Sequence, residues 1–180
     1  MQIATAQTRG VGLFEALVTL LVIALLAAMA GPGLTRMVER NRHQAHLSML
    51  YADLQQARAM ALSSGQAVRL RLYSHPSGSC YVLHHGAAAS CTCNPEGQAQ
   101  CVGEATLIKS HWLPQSTRLR LGGSVTQLAF HPKFGTVSRA GTLSIHGPNG
   151  ARADHVVALT GRVRSCATAS AQLNLPLCAG

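Results

Sequence analysis

"VGLFEALVTLLVIALLAAMAGPGL", residues 11–34, is the stretch that decides the architecture of this chain. From Ala16 to Thr35 there is no charged side chain. Twenty helical residues cover about 30 Å, the thickness of a bilayer's hydrocarbon core. Soluble domains rarely carry so long an uncharged run, so it reads as a membrane span. Arg9 precedes it and Arg36, Arg40 and Arg42 follow, so flanking charge does not set the orientation. One acid, Glu15, lies inside the run, and a carboxylate in lipid demands a partner. Gly31-Pro32-Gly33 predicts a break or kink.

Beyond Pro32 the apolar pattern becomes periodic. Leu47, Leu50, Leu54, Ala57 and Ala61 recur at spacings of three and four, with Arg42, Asp53 and Arg58 off that stripe. A helix therefore runs to about Ser63, where Ser63-Ser64-Gly65 stops it. From Gln66 onward the pattern is that of strands. "AVRLRLY" (67–73) alternates, with Arg69 and Arg71 outward, and "HPSG" (75–78) turns the chain into "SCYVLHH" (79–85). Residues 86–104 are small, polar and rich in cysteine, and read as a loop. "ATLIKSHWL" (105–113), "TRLRL" (117–121), "VTQLAFHP" (125–132), "GTLSIHG" (141–147) and "DHVVALTGRVRS" (154–165) read as further strands. Strand follows strand without helices between, which makes the class α+β with an antiparallel sheet.

The chain has 180 residues and a formal charge of +9, from 15 Lys and Arg against 6 Asp and Glu. From Arg118 onward there are seven basic residues (Arg118, Arg120, Lys133, Arg139, Arg152, Arg162, Arg164) and one acid, Asp154. That balance suits an anionic partner. Catalysis is not indicated, because no nucleophile elbow, phosphate loop or spaced carboxylate pair occurs. Ser144 and His146 lack an orienting acid. No cofactor is implied. The nine histidines have no metal-binding spacing and read as surface or turn residues that add positive charge in acid.

The N-terminal constellation resembles the class III signal of type IV pilins and pseudopilins: Arg9-Gly10, then an apolar run with an acid at its fifth position. Val11, Gly12 and Phe14 depart from the usual residues there. The second half resembles the GspH/FimT family of minor pilins. "LAFHPKFGTVSRAGTLSIHGPNGARADHVVALTGRVRS" follows that family's order of an aromatic–Pro–Gly turn, a Gly-Thr-Leu strand, a glycine hairpin, a valine-rich strand and Gly-Arg-x-Arg.

The resemblance implies the pilin fold: a leader (1–10), a transmembrane and filament-core helix (11–35), its amphipathic continuation (36–65) and a periplasmic β-rich domain (66–180). A prepilin peptidase would cut between Gly10 and Val11 and methylate the Val11 amine. Glu15 would pair with the amine of a neighbouring pilin in a filament built from the inner membrane. Members split between secretion pseudopilins and type IV pilins, and in the latter Gly161, Arg162 and Arg164 would match a DNA-contacting motif of natural transformation. Arg152, Arg139 and Lys133 are further candidates. Arginines two apart on a strand share a face at about 6.5–7 Å, near the spacing of phosphates on one DNA strand. The alternatives are that the pair only guards a strand edge, or that the protein is a pseudopilin without DNA contact. No aromatic lies within twenty residues of the motif, so contact with a duplex backbone is expected rather than base stacking.

A periplasmic domain can hold disulfides. Six cysteines allow 15 pairings. Cys166 with Cys178 is the expected bridge after the arginine pair, with Cys80, Cys91, Cys93 and Cys101 pairing among themselves. Such a loop contributes roughly 3 kcal/mol. The alternative is a zinc site from the same cysteines with His84 and His85.

Overall fold

The computed structural model describes residues 12–168, 173 and 175–178, with only the backbone at 29–32. Helix α1 spans Leu13–Ser64 and contains a stretch long and apolar enough to cross a membrane, with a mean hydropathy of 2.5. The Gly31-Pro32-Gly33 triplet does not end the helix. A proline forfeits one backbone hydrogen bond, and the bonds on either side can carry the helix through. The stop comes at Gly65, in the left-handed region at φ +65°. The chain divides between Glu39 and Arg40 into two compact units.

In the second unit, β1 (Val68–His75), β2 (Gly78–His84), β5 (Leu107–Pro114) and β7 (Gln127–Phe130) form one antiparallel sheet in the order β5-β2-β1-β7. β6 (Arg120–Gly123), β8 (Gly141–His146), β9 (Arg152–Val157) and β10 (Val163–Ala167) form a second, in the order β10-β9-β8-β6. Both sheets turn their apolar faces to α1. Leu47, Leu50, Leu54, Ala57 and Ala61 form one cluster with Leu70, Tyr81, Phe130, Leu143, Ile145 and Val157. Burying each of those leucines contributes about 2 kcal/mol. The stripe at three- and four-residue spacing is thus the face that docks.

Two strand and loop assignments also fail for identifiable reasons. Residues 86–104 are not simply a loop, since β3 (Cys91–Cys93) and β4 (Ala99–Cys101) pair as a hairpin. It lies on the outer face of the first sheet, where Cys80, Val82, Cys91 and Cys93 form a small second core with Trp112 beside it. The hairpin strands give that core only Cys91, Cys93, Ala99 and Cys101, so they leave no apolar alternation to read. Residues 154–165 are not one strand either. The chain reverses between β9 and β10 through Leu159-Thr160-Gly161, with Gly161 N–H bonded to Ala158 O at 2.8 Å and Ala158 N–H to Arg162 O at 2.9 Å. Gly161 has φ +79°, the left-handed position of a three-residue hairpin loop.

Asp53, placed off the apolar stripe by the sequence, is 2 % exposed. Tyr81 Oη donates to its Oδ2 at 2.5 Å and Lys109 Nζ to its Oδ1 at 2.6 Å. These partners sit on β2 and β5, so only the sheet register brings them to the helix. Burial, then the bond to Asp53, holds the Tyr81 phenol well above its usual range.

The histidines also depart from expectation. His43, His84 and His155 are buried. His43 Nε2 donates to Ile145 O at 3.1 Å and His155 Nε2 to Leu47 O at 2.9 Å, tying α1 to the second sheet. His46 Nδ1 and His111 Nε2 lie 3.0 Å apart, so one carries the proton and the other must not. Burial is the first cause that lowers the pKa of His43, His46, His84, His111 and His155. Positive neighbours add to it, Arg42 for His46 and both Arg69 and Arg71 for His84.

A lowered folded-state value means that the unfolded chain takes up protons first as pH falls below about 6.5. Stability is therefore full above that value and is lost as pH drops through the folded-state values. Thermal unfolding of residues 40–180, followed by circular dichroism, is expected to show a midpoint that falls steadily from pH 7 to pH 5. A midpoint constant over that range would contradict this.

Candidate functional site

The arginine pair sits where β9 returns as β10, on the edge strand of the second sheet. Arg162 ends the hairpin loop and Arg164 is the second residue of β10; both are exposed, while Val163 between them is 8 % exposed and faces the core. The alternation follows from Val163 packing inward, and it sends both guanidiniums outward. Across the sheet Arg164 is in register with Val156, which is partly exposed, so no acid stands opposite it. Asp154, two residues further along β9, is buried and engaged by Arg152 Nε at 2.8 Å. Among the described residues no ion pair involves Arg162 or Arg164, so both keep their charge for an external anion.

The bridge expected at this end is present in the structure. Cys166 and Cys178 are bonded, with Cα atoms 4.9 Å apart. Cys178 N–H donates to Ala167 O and Ala167 N–H to Pro176 O, so the segment 176–178 lies along β10 at its Ala167 end. Among the described residues the Arg164 end of that edge is left uncovered. Cys80 is bonded to Cys93 and Cys91 to Cys101. No thiolate then remains in that cluster for zinc, and His84 donates through Nδ1 to the carbonyl of His85. Asp154, Cys166 and Cys178 also bring ligand atoms within 4.8 Å, but both sulfurs there are consumed by the bridge. Ser144 is fully buried, out of reach of any substrate.

The other candidate residues scatter. Gly161 is buried, and a Cβ there would lie 2.1 Å from Gly135 O. Its part is structural: it lets the hairpin loop dock on the turn at 131–136, where Val137 N–H donates to Leu159 O and Arg58 Nε to Gly135 O. Arg152 is spent on Asp154. Lys133 lies over the Phe134 ring at 5.7 Å. Arg139 lines a hollow with Arg69 and Arg71, which Arg162 and Arg164 do not share. Gly10 and Val11 lie outside the described residues. Glu15 is exposed in the first turn of α1.

Sequence reasoning also missed an aromatic. Phe134 is 61 % exposed and stacks on His131 at 5.2 Å between ring centroids. It adjoins Gly135, against which Gly161 packs, so the fold brings a ring to the neighbourhood of Arg162 although 28 residues separate them in sequence. Only the contact between the two glycines signals this, and no local pattern encodes it.

The crystal structure of the Pseudomonas aeruginosa type IV minor pilin FimU is similar to this chain, with a TM-score of 0.52 and 20 % identity over 71 % of this chain and 90 % of that one. At that identity the likeness is one of fold: a long N-terminal helix packed on antiparallel sheet. No curated protein matches the sequence. The family model described as type II transport protein GspH matches residues 47–161 and ends one residue before Arg162. That match covers more than half of the 180 residues, and the chain belongs to the GspH family, with the fold of a type IV minor pilin.

Proposed function

We propose that this protein is a minor pilin of a type IV filament and that Arg162 and Arg164 hold DNA by its phosphates during natural transformation. The observation that carries the reading is the exposed arginine pair around the buried Val163, with no ion-pair partner and no covering segment among the described residues, set at a strand edge beside the hairpin and the Cys166–Cys178 bridge. Arginine suits bidentate contact with phosphate, and contact with phosphate alone is indifferent to sequence. In this reading the prepilin peptidase cleaves after Gly10 and methylates Val11, and the domain after α1 faces the periplasm. Glu15 then finds its counter-charge in the amine of a neighbouring pilin, as a carboxylate in lipid requires.

The family's description as a type II transport protein favours a second reading, a pseudopilin of protein secretion that does not touch DNA. Mobility-shift titrations of the full chain in nonionic detergent separate the two. Arg162→Ala combined with Arg164→Ala is expected to weaken DNA binding about tenfold at low salt. It should also reduce the slope of log affinity against log salt by about 1.8. Equal affinity and slope in the double variant would sink the DNA reading and leave the secretion role. Duplex and single strand should be run side by side, because Phe134 offers a stacking surface that a duplex cannot use.

A further inference from the structure

The outer face of the first sheet holds a second basic feature. Arg69 and Arg71 stand two apart on β1, in register with Ala129 and Gln127 of β7. Together with Arg139 they line a hollow of about 160 Å³, bounded by Ala88 on one side and Ser138 on the other. The volume is that of about five waters. It exists because Ala88, Ala129 and Ser138 are small where they meet the guanidiniums.

Three observations make this more than a solvated face. The first is order. Arg69 Nε donates to Gly86 O at 2.7 Å and Arg71 Nη1 to Ala88 O at 3.3 Å. The Arg71 guanidinium also rests on the Tyr73 ring, 5.2 Å from its centroid. Both side chains are therefore fixed, and a ligand would meet N–H groups already held in place.

The second is charge. The partners of Arg69 and Arg71 are neutral carbonyls, and both arginines are half-buried. No carboxylate lines the hollow. Asp53 and Asp154 are committed elsewhere, and among the described residues no ion pair reaches Arg69, Arg71 or Arg139. Half-buried cations of one sign gathered without a counter-ion call for an anion. The third is position. β1 is an inner strand of its sheet, so its arginines cannot be guarding an edge.

We propose that this hollow binds a phosphate group, presented by a nucleic-acid strand or as a free phosphate. The N–H groups of Arg69 and Arg71 not spent on carbonyls hold it from the sheet side, and Arg139 closes over it from the 138–139 segment. The site is separate from the Arg162–Arg164 pair and stands or falls independently of it.

The test uses the full chain in nonionic detergent micelles with ¹⁵N-labelled arginine. Titration with inorganic phosphate is expected to shift the Arg69 and Arg71 Nε–H resonances saturably, with millimolar affinity. Sodium chloride and sodium acetate at matched ionic strength should produce only small linear drifts. Arg139→Gln, at an exposed position that cannot disturb the core, is expected to weaken phosphate binding at least fivefold. A non-saturating response to phosphate, acetate binding as tight as phosphate, or an Arg139→Gln variant that binds like the wild type would each overturn the proposal.

A second arm adds a six-nucleotide single strand to the Arg162→Ala, Arg164→Ala variant. Movement of the same resonances assigns nucleic acid as the source of the phosphate. Response to inorganic phosphate alone assigns a free phosphate. Wild-type protein that binds phosphate but no DNA would overturn the reading of Arg162 and Arg164 and leave this site standing.

Discussion

Gly161→Ala is expected to destabilise residues 40–180 by about 3 kcal/mol and to lower the unfolding midpoint by about 10 °C. Two costs add. At φ +79° an alanine takes up the left-handed backbone at about 1–2 kcal/mol. Its Cβ would also stand 2.1 Å from Gly135 O, a backbone atom that cannot swing aside. Either the hairpin loop or the 131–136 turn must move, and the bonds from Val137 to Leu159 and from Arg58 to Gly135 are stretched with it.

Gly103→Ala is the control, because Gly103 also has positive φ, +67°, but its Cβ would meet open space. It should cost only the conformational part, about 1 kcal/mol. Equal midpoints for the two variants would show that docking of the loop contributes nothing. On the proposed DNA-binding reading, Gly161→Ala would also weaken binding, through displacement of the hairpin loop that carries Arg162.

What the sequence disclosed and what it hid divide along physical lines. The docking face of α1 was legible because a 3.6-residue period is a local property, and Leu47, Leu50 and Leu54 repeat it. The outward setting of Arg69 and Arg71 was legible because the two-residue alternation of a strand is local too, as was that of Arg162 and Arg164 around Val163. The hairpin inside "DHVVALTGRVRS" was not, because valines continue on both sides of the reversal and only Gly161 marks it.

Proximity was hidden altogether. Nothing near Gly161 points to Gly135, nothing in β1 points to Arg139, and the partners of Asp53 come from two strands whose register the sequence does not state. The buried histidines were misread for a related cause. Spacing along the chain reports on metal sites, whereas burial depends on which strand ends beneath the helix.

Lys109→Met should be the more damaging change at the buried ion pair, even though Lys109 is the more exposed partner. Its side chain is 39 % exposed, whereas that of Asp53 is 2 % exposed. When the carboxylate is neutralised, as in Asp53→Asn, the lysine can turn to water and the amide oxygen can still accept from Tyr81. The expected loss is about 1 kcal/mol. When the lysine is removed, the carboxylate stays behind beneath α1 with one phenol for company, and a buried charge stripped of its partner costs about 3 kcal/mol or more.

Urea unfolding of residues 40–180 at pH 7 should therefore place the midpoint of Lys109→Met well below that of Asp53→Asn. The double variant should be more stable than Lys109→Met alone, because it removes the stranded charge. A double variant no more stable than Lys109→Met would mean that the carboxylate is not electrostatically stranded, and that Lys109 acts through the packing of its alkyl stem.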